Sequence, residues 1–140
     1  MLRLDHQAHL ALVGHAYDGL PNEACGLLGG SAGRGSVPDG HAAVFYPCRN
    51  VAESSRIYTV DPKDHLRADR DAEDRGMEII GVVHSHTHTE AYPSPTDVAQ
   101  APDPSWHYVI VSLKREAPVV RSYRIVDGEI AEEPISVEGG

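Results

Sequence analysis

A chain of 140 residues, 41% apolar and 24% charged, has the length and composition of a globular protein that builds its own core. Twelve basic against twenty-one acidic side chains leave a net charge of −9, which removes the electrostatic footprint of a nucleic-acid partner. No apolar run approaches the roughly 20 residues of a membrane span, and the opening MLRLDHQAHL lacks the basic start and apolar run of a signal peptide, so no membrane partner and a cytoplasmic location are expected.

Residues 5 to 18, DHQAHLALVGHAYD, read as a helix that Asp5 can cap, with Leu10, Val13, Ala16 and Tyr17 on one face and Gly19 and Pro21 as its stop. EACGLLG, residues 23 to 29, reads as a buried strand that begins at Glu23. Residues 29 to 40 are a Gly-, Ser- and Pro-rich turn region. Residues 41 to 47 form a second strand, and Arg56 to Val60, RIYTV, a short third one. Asp61-Pro62 opens a charged helix to about Arg75, the aspartate as cap and the proline at the first helical position.

Met77 to Val83 is a strongly apolar strand that runs into His84, and Ser94-Pro95 starts another helix. Trp106 to Leu113 is a β-rich central strand. Val119 to Val126 and Gly128 to Ile135 form a closing hairpin about Asp127-Gly128, followed by a loose tail, SVEGG. This order predicts an α/β fold, a single mixed β-sheet flanked by helices in one domain over residues 1–140. Cys25 and Cys48 are too few for a disulfide framework and read as reduced, buried thiols.

The stretch HSHTHTEAYPSPTD, residues 84 to 97, carries the chemistry. His84 and His86 are spaced i, i+2 at a strand end, where alternate side chains share a face, so both imidazoles can reach one ion. The best third ligand is Asp97, in the first turn of the helix that the prolines fold back toward the strand. Two imidazoles and a carboxylate suit zinc and leave one position open, the pattern of a catalytic site; a structural site takes four ligands, usually closely spaced cysteines. The plain alternatives are a surface His pair and a first-turn acid that complements the helix dipole.

His84-Ser85-His86, seven further residues, Ser94, two residues and Asp97 resemble the H-[ST]-H-x7-S-x2-D signature of the JAMM (MPN+) metallopeptidases, with Glu23 in PNEACGLLGG at the place of that family's upstream glutamate. Thr87 departs from the proline that many members carry after the second histidine. The resemblance implies the JAMM/MPN fold, with layering like that of cytidine deaminases. It implies that His84, His86 and Asp97 hold Zn²⁺, that Glu23 is the general base toward water, and that Ser94 stabilises the oxyanion. An N-cap role for Ser94 is compatible with the last. His88 is a weaker accessory ligand or substrate contact, and Cys25 has no nucleophilic task that water does not already fill.

HTEAYPSPTD with PNEACGLLGG looks most like the bacterial Mec-type members, which remove cysteine after the C-terminal Gly-Gly of a small ubiquitin-like sulfur-carrier protein. That resemblance implies the carrier as partner and a place in cysteine biosynthesis. The alternatives are a JAMM peptidase or isopeptidase on another ubiquitin-like conjugate, and a non-catalytic MPN scaffold that has lost its ligands. A Gly-Gly tail can add as a strand at a sheet edge, with Arg56, Tyr58 and Tyr92 as possible groove residues. His88-Thr89-Glu90 spells the H-x-E of zinc deaminases, but no P-C-x-x-C follows it. An HxH amidohydrolase needs a barrel of about 250 residues. The terminal Gly139-Gly140 itself resembles a carrier tail, which raises the idea that it docks in the chain's own site.

Overall fold

The computed structural model describes residues 1–33 and 39–139. Its elements in chain order are β1 Leu2–Asp5, α1 His6–Asp18, β2 Cys25–Ser31, β3 Gly40–Cys48, α2 Pro62–Asp74, β4 Glu78–His86, α3 Pro95–Ala99, β5 His107–Ser112, β6 Val119–Val126, β7 Glu129–Glu133 and β8 Ile135–Glu138. Among the described residues the strands form one mixed eight-stranded sheet in the order β7-β6-β5-β4-β2-β3-β1-β8. This is the α/β class expected. Among the same residues no helix is long and apolar enough to cross a membrane.

β2 is antiparallel to both β3 and β4, while β4 runs parallel to β5. α1 packs with Leu2, Leu4, Leu28, Phe45, Val83 and Val109 in one core layer. Ala68 of α2 joins Leu27, Val82, Tyr108, Ile110 and Tyr123 in the other. Gly30 is required where β2 bulges against β3, because a Cβ there would fall 1.9 Å from the His41 carbonyl oxygen. The Asp127-Gly128 turn forms as expected, with both residues at positive φ (51° and 78°), and joins β6 to β7.

Several expectations change. Leu2 and Leu4 alternate inward on a short β1, so α1 begins at His6. Asp5 makes no side-chain cap; its carboxylate lies 2.6 Å from His41 Nε2. The buried face of α1 is Ala8, Leu12 and Ala16, whose two alanines let the helix lie close to the sheet, while Leu10 and Tyr17 point to solvent. RIYTV is not a strand: only Asn50 and Val60 form a bridge. Gly128–Ile135 is interrupted by Pro134, which has no N–H for a ladder. The chain beyond it crosses to the opposite edge and pairs parallel with β1, so the tail is largely strand. With Pro134 alone between β7 and β8, the sheet coils until its edges nearly meet. Leu2 N–H donates to the Pro134 carbonyl (2.9 Å) beside the β1–β8 pairing, the Met1 amino group lies 3.5 Å from Glu133 at the end of β7, and the buried His107–Glu133 pair (2.6 Å) ties β7 to β5. The predicted turn region falls partly outside the described residues, at 34–38.

Candidate metal centre

β4 carries His84 and His86 to its end on one face, both buried. Register fixes the rest. Cys25 lies opposite His84 on antiparallel β2, so Glu23, two residues upstream, sits at the level of His86. Ser85, between the two histidines, secures this extension: its backbone N–H donates to the Ala24 carbonyl (2.9 Å) and its hydroxyl accepts from the Ala24 N–H (2.8 Å). Asp97 arrives from α3. The Ser94 hydroxyl accepts from the Asp97 N–H (3.1 Å), and Asp97 Oδ2 accepts from the Ser94 N–H (2.9 Å), a reciprocal cap that holds the carboxylate at the helix start.

The three side chains converge. His84 Nε2 is 3.0 Å from His86 Nε2, and each is 3.1 Å from Asp97 Oδ2. Ligands at about 2.0–2.1 Å from one tetrahedral ion stand roughly 3.3 Å apart, so this triangle is nearly at coordinating size without rearrangement. The three form a group that can hold a metal ion. His86 Nδ1 lies 2.8 Å from the Glu90 carbonyl, which can only accept; Nδ1 therefore carries a proton, and Nε2 is the nitrogen turned to the triangle. Burial lowers the His84 pKa against the pull of Asp97. Burial alone would raise the Asp97 carboxyl, but hydrogen bonds from the two histidines hold it well below the usual carboxylate range.

Glu23 is 5% exposed, and among the described residues its Oε1 is the buried side-chain oxygen or nitrogen with no hydrogen-bond partner. Burial pushes its carboxyl up to about 7, with His86 opposing and Asp97 adding to the rise. A buried, unpartnered carboxylate beside two imidazoles and an aspartate fits a bound cation with water on it, and the N,N,O donor set fits zinc. The Ser94 oxygen is used as an acceptor in the cap, which leaves its hydroxyl proton free to donate.

Other expectations sort differently. His88 is exposed and outside the triangle. Cys25 and Cys48 are free buried thiols, as expected, and burial raises each to about 12, which makes them poor nucleophiles. Arg56 and Tyr92 are exposed, whereas Tyr58 stacks on His84. Gly139 lies beside Asp5, His6 and His41, with β1, β3 and β2 between its strand and β4; Gly140 is outside the described residues. This position gives no support to docking of the tail in the site.

Asn50, Ser85 and Thr87 support the site without a supporting role having been read from the sequence. Asn50 donates from Nδ2 to the Glu23 carbonyl (2.9 Å) and the Ile57 carbonyl (3.1 Å), and its Oδ1 accepts from the Ala52 and Thr59 N–H groups. A lone asparagine gives no sequence signal for such a clip. Ser85 could have been found from strand alternation, which turns it to the face opposite the histidines. Thr87, where the family often has proline, donates to the Ser55 carbonyl (3.2 Å) and ties the same loop to the site.

Comparison with known proteins adds a second line. A family model described as prokaryotic homologs of the JAB domain matches residues 5–126. The CysO-cysteine peptidase of Mycobacterium tuberculosis is 43% identical over 128 residues, covering 91% of this chain and 84% of that protein. The desampylase of Haloferax volcanii is 32% identical over 116 residues, covering 79% and 80%. The solution structure of protein DSY2949 from Desulfitobacterium hafniense superposes with a TM-score of 0.89 at 36% identity, over 100% of this chain and 94% of that one.

Proposed function

This chain belongs to the family of prokaryotic JAB-domain proteins, and from that premise we propose that residues 1–140 form one zinc-dependent peptidase domain. Its reaction is hydrolysis of the peptide bond after the C-terminal Gly-Gly of a small ubiquitin-like sulfur carrier, releasing L-cysteine in the cytoplasm as a step of cysteine biosynthesis. The single observation that carries the chemistry is the triangle of His84, His86 and Asp97 beside the unpartnered Glu23 carboxylate. The likeness to the CysO-cysteine peptidase supports the substrate class.

In this reading His84, His86 and Asp97 hold Zn²⁺, which when bound makes a water more acidic and polarises a carbonyl. Glu23 takes the proton from the attacking water and returns it to the departing cysteine nitrogen as the C–N bond breaks. The Ser94 hydroxyl donates to the carbonyl oxygen as negative charge develops. Water adds its oxygen to the glycine carbonyl carbon, so the products are a carrier ending in a Gly-Gly carboxylate and free cysteine.

A second reading, cleavage after Gly-Gly of a different ubiquitin-like conjugate, is favoured by the likeness to a desampylase. Retention of all three ligand positions speaks against a scaffold without catalysis. Intact-mass spectrometry of a β-grasp carrier ending Gly-Gly-Cys, incubated with the zinc-loaded chain, separates the two. Loss of one cysteine residue, blocked by chelation, is expected. An unchanged mass with zinc bound would move the substrate to another Gly-Gly conjugate.

A further inference from the structure

The two histidines of the triangle are held in different ways. His86 is anchored at Nδ1 by the Glu90 carbonyl at 2.8 Å. For His84, among the described residues, hydrogen bonds reach only Nε2, the nitrogen that faces the metal position. The χ2 torsion of histidine is broad, so a ring without an Nδ1 partner keeps its plane only through packing. The Tyr58 ring supplies that packing. It lies 4.3 Å from the His84 ring, centroid to centroid, at 19° between planes. The His84–His86 contact is edge-on, at 61°.

Tyr58 is itself rigidly presented. It sits in the 49–61 loop, closed at its base by Asp61 N–H to the Arg49 carbonyl (3.0 Å) and inside by Val51 N–H to the Thr59 carbonyl (2.9 Å). Asn50 bonds to the residues on both sides of Tyr58, at the Ile57 carbonyl and the Thr59 N–H. The same amide holds the Glu23 carbonyl, so one loop presents the general base and the stacking ring together.

We propose that Tyr58 is a positioning residue for His84: its stacked ring does for this ligand what the Glu90 carbonyl does for His86, through the 49–61 loop that Asn50 locks. This reassigns Tyr58 from a substrate groove to the support of the metal ligand, and it rests on the metal reading above. An imidazole on a metal ion would carry positive charge, which the π face of a phenol would favour. The ring, and not the hydroxyl, is the working part.

The test uses the metal-stripped full chain, titrated with Zn²⁺ against a chromophoric chelator, for wild type, Tyr58→Phe and Tyr58→Leu. The Phe variant, which keeps the stack, is expected to bind Zn²⁺ within about twofold of wild type. The Leu variant is expected to bind about tenfold or more weakly, in the range typical of lost ligand support, with unchanged far-UV circular dichroism. Leu binding as tight as wild type overturns the proposal and leaves the metal reading standing. Wild type that takes up no Zn²⁺ overturns the metal reading, and this proposal with it. A Leu variant that does not fold leaves NMR of the metal-free wild type to decide. The His84 ring protons are expected upfield of ordinary values by the Tyr58 ring current, and unshifted protons overturn the stack.

Discussion

Glu23 is held folded in a place where its charge is costly. Burial lifts its carboxyl from an ordinary value of 4.5 to about 7. The folded chain therefore binds that proton more tightly than the unfolded chain. The contribution to stability is complete below the unfolded value and is lost as pH rises through about 7. Relative to metal-free wild type, metal-free Glu23→Gln is expected to gain melting temperature between about pH 5 and about pH 8, because it lacks this component. Thermal unfolding of both at the two pH values checks it: the gap must widen in favour of the variant as pH rises. This residue was legible in the sequence because an acid at the head of an apolar strand is out of place there. Tyr58 and Asn50 were not, since a stack on His84 and a four-bond amide clip exist only once a loop has folded over the strand.

In the proposed reading, helix α3 would carry two tasks. It spans five residues, too few to be stable alone, and its start is set by the reciprocal Ser94–Asp97 cap. Ser94→Ala is expected to cost about 1 kcal/mol through the cap, to keep zinc, and to lower turnover by about 100-fold through the lost oxyanion donor. Steady-state kinetics beside zinc stoichiometry checks this; full turnover would reduce Ser94 to a cap. Ser-Pro followed by an acid announced this helix start in the sequence. α1 was legible as a helix and only partly in its orientation: Val13 and Ala16 meet the core as expected, but Leu10 and Tyr17, inward by hydrophobicity, give way to Ala8 and Leu12. RIYTV shows the converse, β-rich residues left in a loop because Asn50 engages the backbone groups at Ile57 and Thr59.

At the scale of the molecule, the metal centre depends on which strands are neighbours. β2 beside β4 brings Glu23 level with His86, although they are sixty-three positions apart in sequence. The alternation of strands and helices made a mixed sheet legible, but not its order. The crossing at Pro134, which sends the last strand to the far edge beside β1, is a long-range pairing with no local signature beyond the proline itself. That closure fixes β1 and α1 against the sheet that presents the site. The measurement that bears most directly on the proposed chemistry is Glu23→Gln in the zinc-loaded chain, assayed for zinc content and for cleavage of the Gly-Gly-Cys carrier, beside His86→Ala and Asp97→Ala. Glu23→Gln is expected to retain its zinc yet lose turnover by about 100-fold or more, as removal of a general base does, while the other two variants lose zinc as well. Turnover by Glu23→Gln at the wild-type rate with zinc bound would contradict the account.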